Sequence, residues 1–338
     1  MTTGTPAVLR HPLPDVPARA AGSVRRTMHV DVGPRGAWSS PLAMEGAARD
    51  VRTAADGSGR ATVLAEATVT AGFDMARRLE SLATTPDAPW TRGLVGARAG
   101  GGFRRHLDAV VPAAEAGSLL RQVLDDMPAA ALISGYARMR LARRQGHDPT
   151  SLTPAGALDR MVDLCSGWRA GGTAARSVAE GRGAPMQDCP PAPPSAAEDP
   201  DAWHVAGRLD QDWTRRRRCL DVTVGPGDAF AIWATFRDTV GELDDEGTSG
   251  ELVLHEYVVR TSGTRGVVEH IEAEPRVLPF PECPAAAVAV HALVGMEVRT
   301  LARTVPATLE GTASCTHLND LLRALGGVGD LLELARTG

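Results

Sequence analysis

The stretch Arg25–Trp38, RRTMHVDVGPRGAW, decides how this chain reads, because it is met again as Arg216–Phe230, RRRCLDVTVGPGDAF. Both runs open on arginines, alternate apolar with polar residues through an aspartate, and close on Gly-Pro. Alternation at a period of two marks a strand. The correspondence continues outward in the same order. Ala48-Arg49-Asp50 matches Phe236-Arg237-Asp238, and VLAEATVTAG from Val63 matches VLHEYVVRTSG from Val253. Leu94-Val95-Gly96 matches Leu293-Val294-Gly295, and Val111-Pro112 matches Val305-Pro306. The offsets stay near roughly 190 residues, drifting only by loop-sized amounts. Five matches in register predict an internal duplication: an α+β fold of two related strand-then-helix units, paired about a pseudo-twofold axis.

Four segments follow from this reading. Residues 1–24 carry Pro6, Pro12, Pro14 and Pro17 and form a disordered or strapping arm. Residues 25–144 are the first unit, with a hairpin turn at Asp56–Gly59 and a helix from Gly117 through Asp126 to Arg144. Residues 145–202 hold a helix at Thr153–Leu164 and then a Pro/Ala/Gly-rich linker with too little apolar bulk to bury. Residues 203–338 are the second unit. Its strands are expected at Arg218–Val224, Phe230–Asp238, Glu251–Thr261 and Val267–Glu274, and its helices at Pro284–Thr304 and Cys315–Leu334.

Composition narrows the function. The 338 residues include no lysine, so all 36 basic residues are arginine. That removes a P-loop lysine, a Schiff-base lysine and lysine-anchored pyridoxal phosphate, each of which needs a primary amine on a flexible stem. A net charge of −5 argues against a nucleic-acid partner. No apolar run approaches a membrane span, and the amino-terminal prolines and arginines do not fit a secretory leader. Five irregularly spaced cysteines suit a reducing compartment. The expectation is a cytoplasmic protein, from a high-GC bacterial genome by its Ala, Arg, Gly and Pro usage.

Chemistry concentrates in the second unit. In Leu252–Val259, LVLHEYVV, His255 and Tyr257 share one strand face and Glu256 takes the other, where Arg237 or Arg49 is its expected partner. Their counterparts in the first unit are Ala65, Ala67 and Glu66. The carboxylate is therefore frame, while the histidine and tyrosine mark specialisation or a hydrogen-bonded core. In SCTHLNDLL, Ser314–Leu322, the apolar stripe Leu318, Leu321, Leu322 and Leu325 is flanked by Cys315 and His317, with Asp320 facing away and Thr312 or Ser314 as cap.

Cys283, before Pro284, and Cys315 both fall near helix starts, where the dipole favours thiolate. One reading makes His255 an acid/base, Cys315 a nucleophile or ligand, and Tyr257 a hydrogen-bond donor. A second makes His255, Cys283, Cys315 and His317 a Cys₂His₂ set for zinc, at spacings of no compact finger. A third leaves two buried structural thiols. The first suits an enzyme acting on a small organic molecule. The others suit a non-catalytic small-molecule-binding or assembly protein.

Three other features read as structure. Gly100-Gly101-Gly102-Phe103 lacks GxGxxG and the Walker lysine and reads as a loop before a helix. Arg215–Arg218 reads as a solvated run, and Asp125-Asp126 as a helix cap.

The second half also resembles the bacterial family called domain of unknown function 2889. The resemblance is carried by Arg217-Arg218, His255-Glu256-Tyr257, Cys283-Pro284, Leu293-Val294-Gly295 and Cys315-Thr316-His317-Leu318. Glu256 and Tyr257 stand where short members of the family carry Asp and Met. The first half matches only the frame, at Arg25-Arg26, Leu94-Val95-Gly96 and Gly102-Phe103-Arg104. The resemblance implies weight on His255, Cys283, Cys315 and His317, and no particular reaction.

Overall fold

The two matched stretches become neighbours. The computed structural model describes residues 9–37, 39–148, 156–193, 199–243 and 249–337. In it β1 (Val24–Pro34) and β5 (Thr214–Val224) pair antiparallel at the centre of one sheet, with Val24 opposite Val222 and Val32 opposite Thr214. β2 (Leu42–Thr53), β3 (Ala61–Phe73) and β4 (Leu79–Thr85) continue outward from β1. β6 (Ala229–Leu243), β7 (Ser249–Thr264) and β8 (Val267–Val277) continue outward from β5. The order is β4-β3-β2-β1-β5-β6-β7-β8, antiparallel throughout. At the level of one antiparallel sheet with helices, the α+β expectation holds.

β1 is buried along its whole length because both faces of the sheet are covered. On one face lie α1 (Phe103–Val110), α2 (Leu119–Arg144), α5 (Thr316–Ala324) and α6 (Gly329–Arg336), with α4 (Leu301–Thr308) beside α5. Ser118 caps α2 by accepting from the Arg121 N–H at 3.2 Å. Met28, Val30, Val123 and Met127 belong to one core on this face; Leu220, Phe236 and the stripe Leu318, Leu321, Leu322 and Leu325 belong to another. Each fully buried leucine of the stripe adds about 1.5–3 kcal/mol.

Extended segments strap the other face. Leu13 donates its N–H to Glu256 at 2.6 Å, and Pro17 and Ala202 accept from Arg25. Beneath the straps the sheet is polar: His29 and His204 are buried with ring nitrogens 2.6 Å apart.

Arginine–aspartate pairs fix the register at the centre. Arg25 grips Asp221 with contacts of 2.6 and 2.5 Å, and Arg215 grips Asp31 at 2.7 and 2.6 Å, both on the strap side. On the helix side Arg26 grips Asp50 and Arg216 grips Asp238, each through two nitrogens at 2.7–2.9 Å. The strand pairings therefore set Arg26, not Arg25, in correspondence with Arg216. A one-residue slip would turn every side chain to the opposite face. Arg215–Arg218 is accordingly not a solvated run, since Arg215 and Arg216 are each 1% exposed. Asp125 and Asp126 lie inside α2 instead of capping it, and Asp126 pairs with Arg218 at 2.5 Å.

Several helices differ from expectation. Residues 153–155 fall outside the described set, and residues 156–164 hold only a 3₁₀ turn at Asp159–Met161, bracketed by left-handed backbone at Gly156, φ 68°, and Asp163, φ 61°. The expected linker contains α3 (Thr173–Ala179), whose Ala174 joins the second core. Gly167 lies so close to Cys283 that a Cβ would sit 2.6 Å from its sulfur. Small residues there pack backbone closely, so the segment is buried without apolar bulk. α1 follows the Gly100–Gly102 loop at once, as the reading of that glycine run as a loop before a helix expects. Residues Cys283–Leu293 form a 3₁₀ run that ends before Gly295, φ 84°, so the expected helix to Thr304 is divided. Pro306 lies inside α4 whereas Pro112 follows α1, so that sequence match does not correspond in place. α5 and α6 are separated by a 3₁₀ turn at Leu325–Val328, where Gly327 admits the Gln122 side chain.

Candidate functional site

Pairing of β6 with β7 places Asp238 directly opposite His255, just before a bulge between Asp238 and Thr239. Both side chains point to the helix face. Glu256 points to the strap face, where it accepts from Arg237 at 2.5 Å, as the alternation predicts. β2 and β3 repeat the arrangement with a bulge after Asp50, but Asp50 faces Ala65. The aspartate and its arginine are thus present in both halves of the sheet, and the imidazole in only one.

α5 supplies the second imidazole. Its cap is Cys315, in extended conformation and with no side-chain cap bond, so neither Thr312 nor Ser314 caps it; the Ser314 hydroxyl donates to the Gly311 carbonyl instead. The first turn then lays His317 over His255, with ring centroids 3.8 Å apart and planes 24° from parallel. Phe236 also stacks with His317, at 6.3 Å and 15°. The His255 Nδ1 lies 3.3 Å from Asp238 Oδ2. Among the described residues, Asp238, His255 and His317 form a group whose ligand-type atoms all lie within 4.8 Å of one another.

Charge around this group is fixed by burial and by arginines. Burial alone would raise the Asp238 carboxyl, but Arg216 and His255 hold it well below the usual carboxylate range. Arg216 also reaches Asp320 at 3.0 Å, and Arg104 reaches the other oxygen of Asp320 at 2.7 Å. Asp320 therefore faces inward, contrary to the helical-wheel expectation. Burial opposes its ionisation, and Arg104, Arg216 and Arg218 together bring it down to about 2. Burial and the neighbouring His255 take His317 down to about 3, so its ring is neutral near pH 7.

The cysteines behave differently from the dipole expectation. Burial pushes the Cys315 thiol up to about 11 and Cys283 well above its ordinary value. Burial outweighs a short helix dipole, so both are neutral thiols. Cys315 Sγ lies 3.9 Å from His317 Nδ1. Tyr257 is wholly buried and donates its hydroxyl to the Cys283 carbonyl at 3.4 Å. The structure thus gathers His255 and His317 with Cys315 alongside, and Cys315 in turn lies against Tyr257 and Cys283. Asp238, Arg216 and Asp320 complete the site and are absent from the sequence candidates. The signal for Asp238 is its match with Asp50, which reads as frame.

The segment that carries all these groups also decides the comparison with known families. Residues 213–329 match the family model described as a protein of unknown function, DUF2889. The matched segment runs from the start of β5 to the start of α6 and contains Arg216, Asp238, His255, Cys283, Cys315, His317 and Asp320. Residues before 213 lie outside the match. No curated protein and no solved structure matches the chain.

Proposed function

We propose that this chain is an enzyme acting on a small organic molecule, with a divalent metal ion held by Asp238, His255 and His317. The observation that carries this reading is the convergence of two imidazoles and one carboxylate within 4.8 Å. The His255–Asp238 separation of 3.3 Å is long for a charge-assisted hydrogen bond, which prefers about 2.7–2.9 Å. It is near the edge of a tetrahedron around an ion with ligands at about 2.0–2.1 Å. Neutral imidazole is the form a metal binds, and burial keeps His317 neutral. Asp238 has lone pairs left after Arg216, because an ionised carboxylate offers about four acceptor positions. His255 keeps 12% of its side chain exposed while Asp238 keeps none, so access is from the His255 side.

Two histidines and a carboxylate leave coordination positions free for water and substrate. Such an ion supplies Lewis acidity or an activated water. In this reading Cys315 packs against His317 and is not the nucleophile, because its thiol is neutral. Tyr257 orders the wall behind it. Uptake of one zinc ion per chain, lost on His255→Ala, tests the site, and absence of uptake contradicts it.

A second reading keeps the same residues as packing in a non-catalytic binding or assembly protein. The bidentate Arg216–Asp238 pair favours it, since that pair neutralises the aspartate without a metal. We also propose that the two halves of the sheet are copies of one duplicated unit about a pseudo-twofold axis between β1 and β5. Supporting this are the paired arginine–aspartate grips, the bulges after Asp50 and Asp238, and Gly96 and Gly295 at φ 85° and 84°. Five free thiols suit a reducing compartment, and no helix among the described residues is long and apolar enough to cross a membrane.

A further inference from the structure

A groove of about 610 Å³ opens where the Gly100–Gly102 loop and the start of α1 meet the first turn of α5. Its volume falls in the range of about 300–1,000 Å³ that small-molecule sites occupy. Four arginines line it: Arg77, Arg104, Arg105 and Arg323. Asp320 is the acidic residue among the lining groups. Arg104 and Arg323 spend part of their charge on Asp125 and Asp320, but buried Nε of Arg323 has no hydrogen-bond partner. Among the described residues no carboxylate pairs with Arg77 or Arg105.

Arg77 is placed at a cost. It holds φ 62°, a region that favours glycine. Its guanidinium is desolvated by burial and further disfavoured by Arg138 and Arg98. Uncompensated cationic charge of this kind calls for an anion from outside the chain. The groove is not purely polar, because Leu132 lies in its wall with 54% of its surface exposed, beside Pro128 and Pro306. An exposed leucine next to unpaired arginines fits one chemistry.

We infer that this groove binds an organic anion, its carboxylate or phosphate at Arg77 and Arg105 and its apolar body against Leu132. The groove is joined to the proposed metal ligands through Arg104, Asp320, Arg216 and Asp238, at contacts of 2.7, 3.0 and 2.7 Å. An anion seated there would be the substrate, and to that extent the inference rests on the metal-site reading.

Calorimetric titration with three probes tests it. Naphthylacetate carries both charge and apolar body, naphthylacetamide only the body, and inorganic phosphate only charge. Naphthylacetate is expected to bind, with the other two at least about tenfold weaker, since a hydrogen bond to a charged group is worth about 1.5–3 kcal/mol. Arg105→Gln, at an exposed position, and Leu132→Ser should each weaken naphthylacetate by a similar factor without moving the melting temperature. No binding of naphthylacetate, equal binding of the amide or of phosphate, or unchanged binding in both variants overturns the inference. The variant His317→Ala separates the two readings. Loss of zinc with naphthylacetate binding retained supports the groove on its own terms. In the native chain, zinc uptake with no naphthylacetate binding leaves the metal site and overturns the groove.

Discussion

The ring of His317 lies face to face with that of His255, 3.8 Å between centroids, although 62 residues of chain separate them. One ring is fixed by the register of β6 and β7 and the other by the first turn of α5. Both are positioned by backbone, and Asp238 beneath them is fixed by Arg216. The site is therefore preorganised, and each part can be tested separately.

The ion-pair frame is the first test. Asp50→Leu leaves the Arg26 guanidinium, 2% exposed, without its partner. An unpaired buried charge costs about 3–5 kcal/mol. Chemical denaturation should show a loss of that order for Asp50→Leu and at least as much for Asp238→Leu. Only the second should change metal content. A loss below about 1 kcal/mol in Asp50→Leu would show that the pair does not hold the sheet.

The strap face predicts a pH dependence. Burial first, then neighbouring arginines for His29, and His29 and arginines for His204, take both imidazoles down to about 3. Unfolded, each titrates near its ordinary 6.5. Below that pH the unfolded chain binds more protons than the fold, so this contribution is intact above pH 6.5 and is lost progressively toward about 3. Melting temperatures across that window should fall more steeply for the native chain than for His204→Phe. Parallel slopes would contradict the neutral buried pair.

Thiol chemistry separates Cys315 as packing from Cys315 as nucleophile. Cys165, Cys219, Cys283 and Cys315 are buried and Cys189 is partly exposed. In the folded protein an aromatic disulfide reagent should react at Cys189 at most, with the remaining thiols appearing only on unfolding. Cys315→Ser should leave metal uptake in place. Rapid labelling of Cys315 at neutral pH would restore the nucleophile.

Close approach of backbone makes a sharp local prediction. A Cβ at Gly241 would sit 2.1 Å from the carbonyl oxygen of Asp210, where main chain cannot yield cheaply. Gly241→Ala should destabilise the fold by about 1–3 kcal/mol, as overpacking does. A neutral effect in denaturant titration would mean that the segment before β5 is not seated against β6 as described.

Much of this architecture is legible in the alternation of RRTMHVDV and RRRCLDVTV, and in the leucine stripe from Leu318 to Leu325. Both patterns follow from burial on a known period. The position of His255 and Glu256 on opposite faces was legible for the same reason. Asp238 was not, because its encounter with His255 depends on pairing register and a bulge, which single-strand periodicity does not encode. Asp320 was missed because a helical wheel assigns polar residues to solvent and cannot anticipate Arg216 and Arg104 above them. α3 and the segment around Gly167 were missed because their burial uses alanine and glycine, which look like linker when only bulk is counted.

Metal content separates an ion-binding site from packing alone. Purified chain should be stripped with chelator, titrated with zinc and analysed by elemental mass spectrometry, beside His255→Ala, His317→Ala and Cys283→Ala. One zinc ion per native chain is expected, with a rise in melting temperature on added zinc by mass action, loss of both in the two histidine variants, and retention in Cys283→Ala. No bound zinc in the native chain, or uptake that survives His317→Ala, would contradict the metal site.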